Sequence, residues 1–208
     1  GCQSTPKPTA ELSPVALDGG KLRVVATTNI VADVVKNVGN DKIELHALMG
    51  VGVDPHTYVP SPADMALIHD AHVVFASGAG LEAGLVKTLE GAEGGAATIY
   101  LSKGLDLRPA PEAHEPAEGE AHKHEEEYDP HVWFSVPNVI RWAEAIAETL
   151  GKLDPANASS YQANAKSYIR ESEMLDEWIK EQVATVPAER RKLVTGHPSF
   201  GYFAARYG

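Results

Sequence analysis

The chain has 208 residues, is 43% hydrophobic and carries a formal net charge of −11. That length suits one large domain or two smaller ones, and the apolar fraction is enough for a real core. The acidic balance argues against nucleic acid as a partner, and no stretch approaches the roughly 18 apolar residues of a membrane-spanning helix.

Cys2 is the only cysteine, so no intrachain disulfide is possible. Gly1-Cys2 has the form of a cut lipoprotein signal, which makes Cys2 a candidate lipid anchor; an unmodified thiol in a disordered terminus is the alternative. The polar, Pro-rich run to about Gly20 reads as a flexible tether. Strand and helix patterns then alternate. Leu22 to Thr27 is a β-branched run, and Ile30, Val31, Val34, Val35 and Val38 recur at helical spacing before Gly39-Asn40. Ile43 to Leu48 is the next strand. Ser61 caps a helix from Pro62 to Asp70. Val73 to Ala76 is a third strand, Leu81 to Glu90 a helix, and Thr98 to Leu101 a fourth strand. This alternation predicts an α/β fold with a parallel sheet covered on both faces, and ligands at the carboxyl ends of its strands.

Residues 104–128 interrupt the pattern with a mobile acidic loop that carries His114, His122 and His124. Pro137 to Leu150 then reads as a helix ended by Gly151. From Asp154-Pro155 a helical period runs without a breaker until Pro187, roughly thirty residues or about 45 Å, which suits a strut between two lobes. Leu193-Val194-Thr195 reads as a strand start, and Phe200 to Tyr207 as the helix after it. The expected organisation is a tether over 1–20, an N-terminal α/β lobe over 21–153, a linking helix over 154–187 and the beginning of a C-terminal lobe over 188–208, with the rest of that lobe missing. Phe200, Tyr202 and Phe203 are expected to lack their packing partners.

Three histidines stand in stiff, proline-marked settings: Asp54-Pro55-His56, Asp129-Pro130-His131 and Gly196-His197-Pro198. Proline fixes its own φ and drives the preceding residue into extended backbone, so such turns aim an imidazole at low entropic cost. Three imidazoles far apart in sequence, each on a rigid turn, suit a zinc-type site. Each alone has a plainer reading as a solvated or hydrogen-bonded side chain. His46 reads as structural within its strand, His69 as a charge partner at a helix C-terminus and His72 as packed or surface. Trp133, Trp142 and Trp178 read as packing, with Trp133 also placed to shield His131.

Asp54-Pro55-His56-Thr57-Tyr58, Pro60-Ser61-Pro62-Ala63-Asp64-Met65, Asp129-Pro130-His131-Val132-Trp133 and His197-Pro198-Ser199-Phe200-Gly201-Tyr202-Phe203 together resemble the zinc/manganese solute-binding lipoproteins of bacterial ABC importers. The resemblance covers about residues 22–208. It implies two α/β lobes joined by one long rigid helix, with the metal between them. It also implies His56, His131 and His197 as ligands to Zn(II), with Mn(II) as the alternative cargo, and a fourth, acidic ligand beyond Gly208. An ABC permease would be the partner of a monomeric receptor held outside the cytoplasm by lipidated Cys2. The acidic, His-rich loop matches one common in the zinc branch, and His114, His122 and His124 are candidates for weaker metal capture. Val59 and Ser135 depart from the family pattern at positions that are not ligands. A zinc hydrolase is the reading from a different class, but no His-Glu-x-x-His helix or general base accompanies the three histidines. An adhesive role at the cell surface has no marked surface in the sequence.

Overall fold

The computed structural model describes residues 12–91, 96–110 and 128–208. Its centre is a parallel sheet of β1 (Leu22–Ala26), β2 (Ile43–Ala47), β3 (Val73–Ala76) and β4 (Ala97–Tyr100), in the order β2-β1-β3-β4. Strand β1 is central, with Val24 opposite Leu45 of β2 on one side and Val73 of β3 on the other. The helices are α1 (Asn29–Gly39), α2 (Pro62–Asp70), α3 (Ala83–Gly91), α4 (Val136–Leu153), α5 (Ala158–Ala184) and α6 (Gly201–Tyr207).

Alternation along the strands divides the core. Leu22, Val24 and Ala26 face one side, where Val31, Val35 and Val38 of α1, Trp142 and Ile146 of α4 and Tyr161 of α5 cover them. Val25 and Val74 face the other side, against Ile68 of α2 and Leu85 and Leu89 of α3. Full burial of each Val, Leu or Ile among them contributes about 1.5–3 kcal/mol. Local signals set the helix ends. The Ser61 hydroxyl accepts the Asp64 N–H, and the Asp64 carboxylate accepts the Ser61 N–H, closing a capping box at α2. Asn40, at φ 49°, ends α1.

Several expectations need correction. The tether does not extend to Gly20: Leu12, Val15 and Leu17 pack on the main core, and the Val15 N–H donates to the Leu153 carbonyl at 2.9 Å. Gly151 does not end α4, which runs to Leu153 and stops before Pro155. A Cβ at Gly151 would lie 3.3 Å from Ala158 Cβ, so this glycine serves the close approach of α5. The long helix has 27 residues, about 40 Å, preceded by a 3-10 turn at Pro155–Asn157. Leu193-Val194-Thr195 forms no strand: no described strand lies beside it, and Val194 is 94% exposed. Trp142 is fully buried, but Trp178 is 56% exposed, because the half of α5 that carries it has left the core. Phe200, Tyr202 and Phe203 do have partners: Phe200 stacks on Phe134 at 4.4 Å between ring centroids, Phe203 meets Tyr207 at 4.7 Å, and Tyr202 is buried. Cys2, the candidate lipid anchor, and the loop histidines His114, His122 and His124 lie outside the described residues.

A charged clasp holds α6 to α5. Asp176 of α5 accepts from Arg206 through both carboxylate oxygens, from the Tyr207 hydroxyl at 2.7 Å and from Lys180 at 2.8 Å. The Arg206 hydrogen bonds outweigh burial and, with those from Lys180 and Tyr207, hold the Asp176 carboxyl well below the usual carboxylate range. A depressed folded-state value means that the contribution to stability is complete above the unfolded value of about 3.9 and is lost as pH falls toward the folded one. Asp176→Asn is therefore expected to lower stability at pH 7 by on the order of 1–3 kcal/mol. In urea unfolding of the two proteins, the gap should narrow below about pH 4.

Candidate metal centre

The three proline-marked histidines converge. His56 comes from the loop between β2 and α2, His131 from the turn before α4 and His197 from the turn before α6. His131 Nε2 lies 3.4 Å from His56 Nε2 and 3.1 Å from His197 Nε2, and one nitrogen from each ring lies within 4.8 Å of the others. A tetrahedral ion with bonds of about 2.0–2.1 Å requires ligand atoms about 3.3 Å apart. Two edges of the triangle are close to that value, and the third is no longer than 4.8 Å. His131 is buried, His56 half-buried and His197 exposed, so the site opens on the His197 side.

Both Asp-Pro-His segments fold in the same way. The Asp54 carboxylate accepts the His56 N–H at 3.0 Å, and the Asp129 carboxylate accepts the His131 N–H at 3.0 Å. The backbone N–H of His56 and the hydroxyl of Thr57 lower the Asp54 pKa from its ordinary value. Asp129 does more. Its Oδ1 also takes the His131 Nδ1 hydrogen at 2.8 Å, and an ionised carboxylate can only accept. His131 is thereby held in the tautomer that presents a bare Nε2 to the other two rings. A bare Nε2 on His131 can accept a hydrogen from a neighbouring ring or bind a cation in its place.

Asp129 also joins His131 to the His197 segment. Its carbonyl accepts the Tyr202 hydroxyl at 3.0 Å, and the same hydroxyl oxygen accepts the Arg108 N–H at 3.0 Å. Asp129 Oδ2 would stand 2.5 Å from a Cβ at position 201, so the start of α6 packs this closely only with glycine there. Trp133 sets its ring edge-on to His131 at 5.4 Å between centroids. The His56 loop is steadied by Tyr58, whose hydroxyl burial and a hydrogen bond to Asp64 push up to about 12.

The remaining described histidines stay apart from the cluster. His46 Nε2 lies 3.3 Å from Glu44, and exposed His69 lies 3.0 Å from Asp70 in the last turn of α2. His72 Nδ1 accepts the Arg23 N–H at 2.8 Å, and burial and the Arg23 charge lower its pKa. Sequence reasoning treated the two Asp-Pro dipeptides as stiffeners and missed the carboxylates as acceptors. The repeated aspartate two residues before each histidine was the available signal, since Asp readily bonds backbone two residues on.

A parallel α/β layer with three imidazoles gathered over the carboxyl edge of its sheet defines an α/β binding protein with a candidate metal centre. The chain belongs to the ZnuA family, described as zinc-uptake complex component A, periplasmic, whose profile matches residues 24–208. It is 36% identical over 204 residues to the metal ABC transporter substrate-binding lipoprotein ScbA of Streptococcus cristatus, covering 95% of this chain and 63% of that protein. It is 37% identical over 199 residues to the manganese ABC transporter substrate-binding lipoprotein PsaA of Streptococcus anginosus, covering 93% of this chain and 62% of that protein. Among solved structures, the periplasmic zinc binding protein TroA of Treponema pallidum superposes with a TM-score of 0.77 at 33% identity, covering 91% of this chain and 65% of that one. The chain spans less than two thirds of the length of each of these three proteins. ScbA and PsaA are substrate-binding components of ABC transporters, not enzymes.

Replacing Asp129 with alanine should release the His131 ring. The expected result is loss of the protected Nδ1-bound proton signal of His131 in NMR spectra. Affinity for a divalent ion bound at the three rings should fall by about 10–100-fold, with asparagine recovering part of it.

Proposed function

We propose that this protein is the extracytoplasmic receptor of an ABC-type metal importer and that its cargo is Zn(II), held by His56, His131 and His197. The observation that carries this reading is the convergence of three imidazole nitrogens, from three separate turns, at spacings that fit one tetrahedral ion. Nitrogen donors favour zinc, whereas carboxylate, carbonyl and water donors suit manganese. Names among the relatives include both metals, with PsaA a manganese and TroA a zinc protein. The all-imidazole set of this chain supports the zinc side. Water or a carboxylate supplies the fourth ligand, and the acidic residue expected beyond Gly208 remains part of this reading.

The receptor would hand its ion to a membrane permease, tethered beside it through lipidated Cys2. No helix among the described residues is long and apolar enough to cross a membrane. Binding rather than hydrolysis is the reading supported by ScbA and PsaA, which are substrate-binding lipoproteins of ABC transporters. His114, His122 and His124 would act as low-affinity collectors around this site.

Calorimetry on metal-free protein should show tighter binding of Zn²⁺ than of Mn²⁺, and His131→Ala or His197→Ala should abolish the tight phase. Tighter Mn²⁺ binding would overturn the choice of cargo. Deletion of residues 112–126 should leave one tight zinc site and remove only weaker ones. Loss of the tight site on that deletion would place a loop histidine among the primary ligands.

A further inference from the structure

Glu82 is 1% exposed, and its carboxylate spans the carboxyl ends of β1 and β3. One oxygen accepts the Thr27 hydroxyl at 2.6 Å and the Ser77 N–H at 2.8 Å, and the other accepts the Gly78 N–H at 3.0 Å. Thr27 is the first residue after β1, and Ser77 and Gly78 are the first two after β3. The turn that follows is held in an unusual shape: Gly78, Ala79 and Gly80 have φ of 81°, 54° and 86°. Left-handed backbone is unfavourable at an alanine and persists only where surrounding contacts enforce it. The boundary between β1 and β3 is also the switch point of this sheet, since the β1–α1–β2 connection leaves on the other side. Open α/β sheets generally receive ligands there. In this protein one of its own carboxylates fills the place.

One residue that Glu82 ties down, Thr27, anchors the start of the His56 loop, and the helix that Glu82 leads into lies against the end of that loop. At the start of the loop, the Met49 N–H donates to the Thr27 carbonyl at 3.0 Å. At its end, Gly84, two residues beyond Glu82, lies against Tyr58: a Cβ at Gly84 would stand 2.6 Å from the Tyr58 carbonyl oxygen. His56 lies between these anchors. His131 and His197 depend instead on Asp129, Tyr202 and the start of α6.

We propose that Glu82 is the positioning residue for His56: it fixes both anchors of the loop from Met49 to Tyr58 and so sets one of the three imidazoles in place. This inference rests on the reading of His56 as a zinc ligand. Glu82 touches no ion; it acts through Thr27, the Ser77–Gly80 turn and the first turn of α3.

The test is zinc titration, against a competing chromophoric chelator, of the 208-residue chain and five variants: Glu82→Ala, Glu82→Gln, Gly84→Ala, His56→Ala and Glu82→Ala combined with His56→Ala. Glu82→Ala should weaken zinc binding by about tenfold or more, as loss of an outer support does. Glu82→Gln should weaken it less, because its amide oxygen still accepts a backbone N–H. Gly84→Ala should reproduce the loss by displacing Tyr58 with the carboxylate intact. With His56 already replaced, Glu82→Ala should change affinity by less than about twofold, because a residue acting through His56 has nothing further to lose. Undiminished affinity in Glu82→Ala, or the same loss with and without His56, would overturn the proposal. Should Glu82→Ala fail to fold, Glu82→Gln and Gly84→Ala decide it, each combined with His56→Ala in the same way. If His56→Ala left zinc binding unchanged, the reading of His56 as a ligand would fail and this proposal with it. Additive losses would leave that reading intact and overturn only the role of Glu82.

Discussion

The candidate centre depends on how Asp129 spends its hydrogen bonds. One carboxylate oxygen holds both the backbone and the ring of His131, while its carbonyl receives Tyr202 from α6. Without that second bond, the segment carrying His197 would be fixed chiefly by the Asp176 clasp at the far end of α6 and by ring packing of Phe200 on Phe134. His197 itself is exposed, and its turn is held by short-range bonds such as that from the Thr195 hydroxyl to the His197 carbonyl, at 2.6 Å, besides the contact of its ring with His131. A short helix thus places a ligand because it is gripped at both ends. Gly201 is the steric condition for this, since any side chain there would collide with the Asp129 carboxylate.

The site is unevenly supported, and this bears on how it would work. His131 rests on the protein core through Val132, which is fully buried. His56 rides on a loop tied to the sheet through Met49 and Thr27 and packed against Gly84 of α3 at Tyr58, and His197 on a solvent-facing turn. In the receptor role proposed above, the ion must be bound and also released, and elements that move are drawn from the less stable parts of a fold. The exposed His197 side is where such movement is least costly. The rigid His131 would then be the fixed partner that the other two rings approach.

Much of the fold was legible in the sequence because its signals are local. The β-branched runs, the helical spacing of Val31, Val34, Val35 and Val38, and the Ser61-Pro62 cap each specify their element without knowledge of its neighbours. The failures came where tertiary contacts decide. Gly151 looks like a helix end, yet the helix continues because α5 needs the space a side chain would take. Leu193-Val194-Thr195 has strand composition and no strand to pair with. Leu12, Val15 and Leu17 lie among prolines and polar residues, yet they dock on the core. The three histidines stood out through their proline settings. Asp129, Tyr202 and Glu82 did not, because hydrogen bonds such as that of Tyr202, 73 residues from its Asp129 partner, leave no periodic trace in the chain.

The central claim is that one ion sits between His56, His131 and His197. Crystals of the protein grown with one equivalent of Zn²⁺, with diffraction data collected on either side of the zinc absorption edge, test it most directly. The account predicts a single strong anomalous peak about 2.0–2.1 Å from Nε2 of all three rings. A peak elsewhere on the molecule, or one bonded to fewer than two of these histidines, would contradict it.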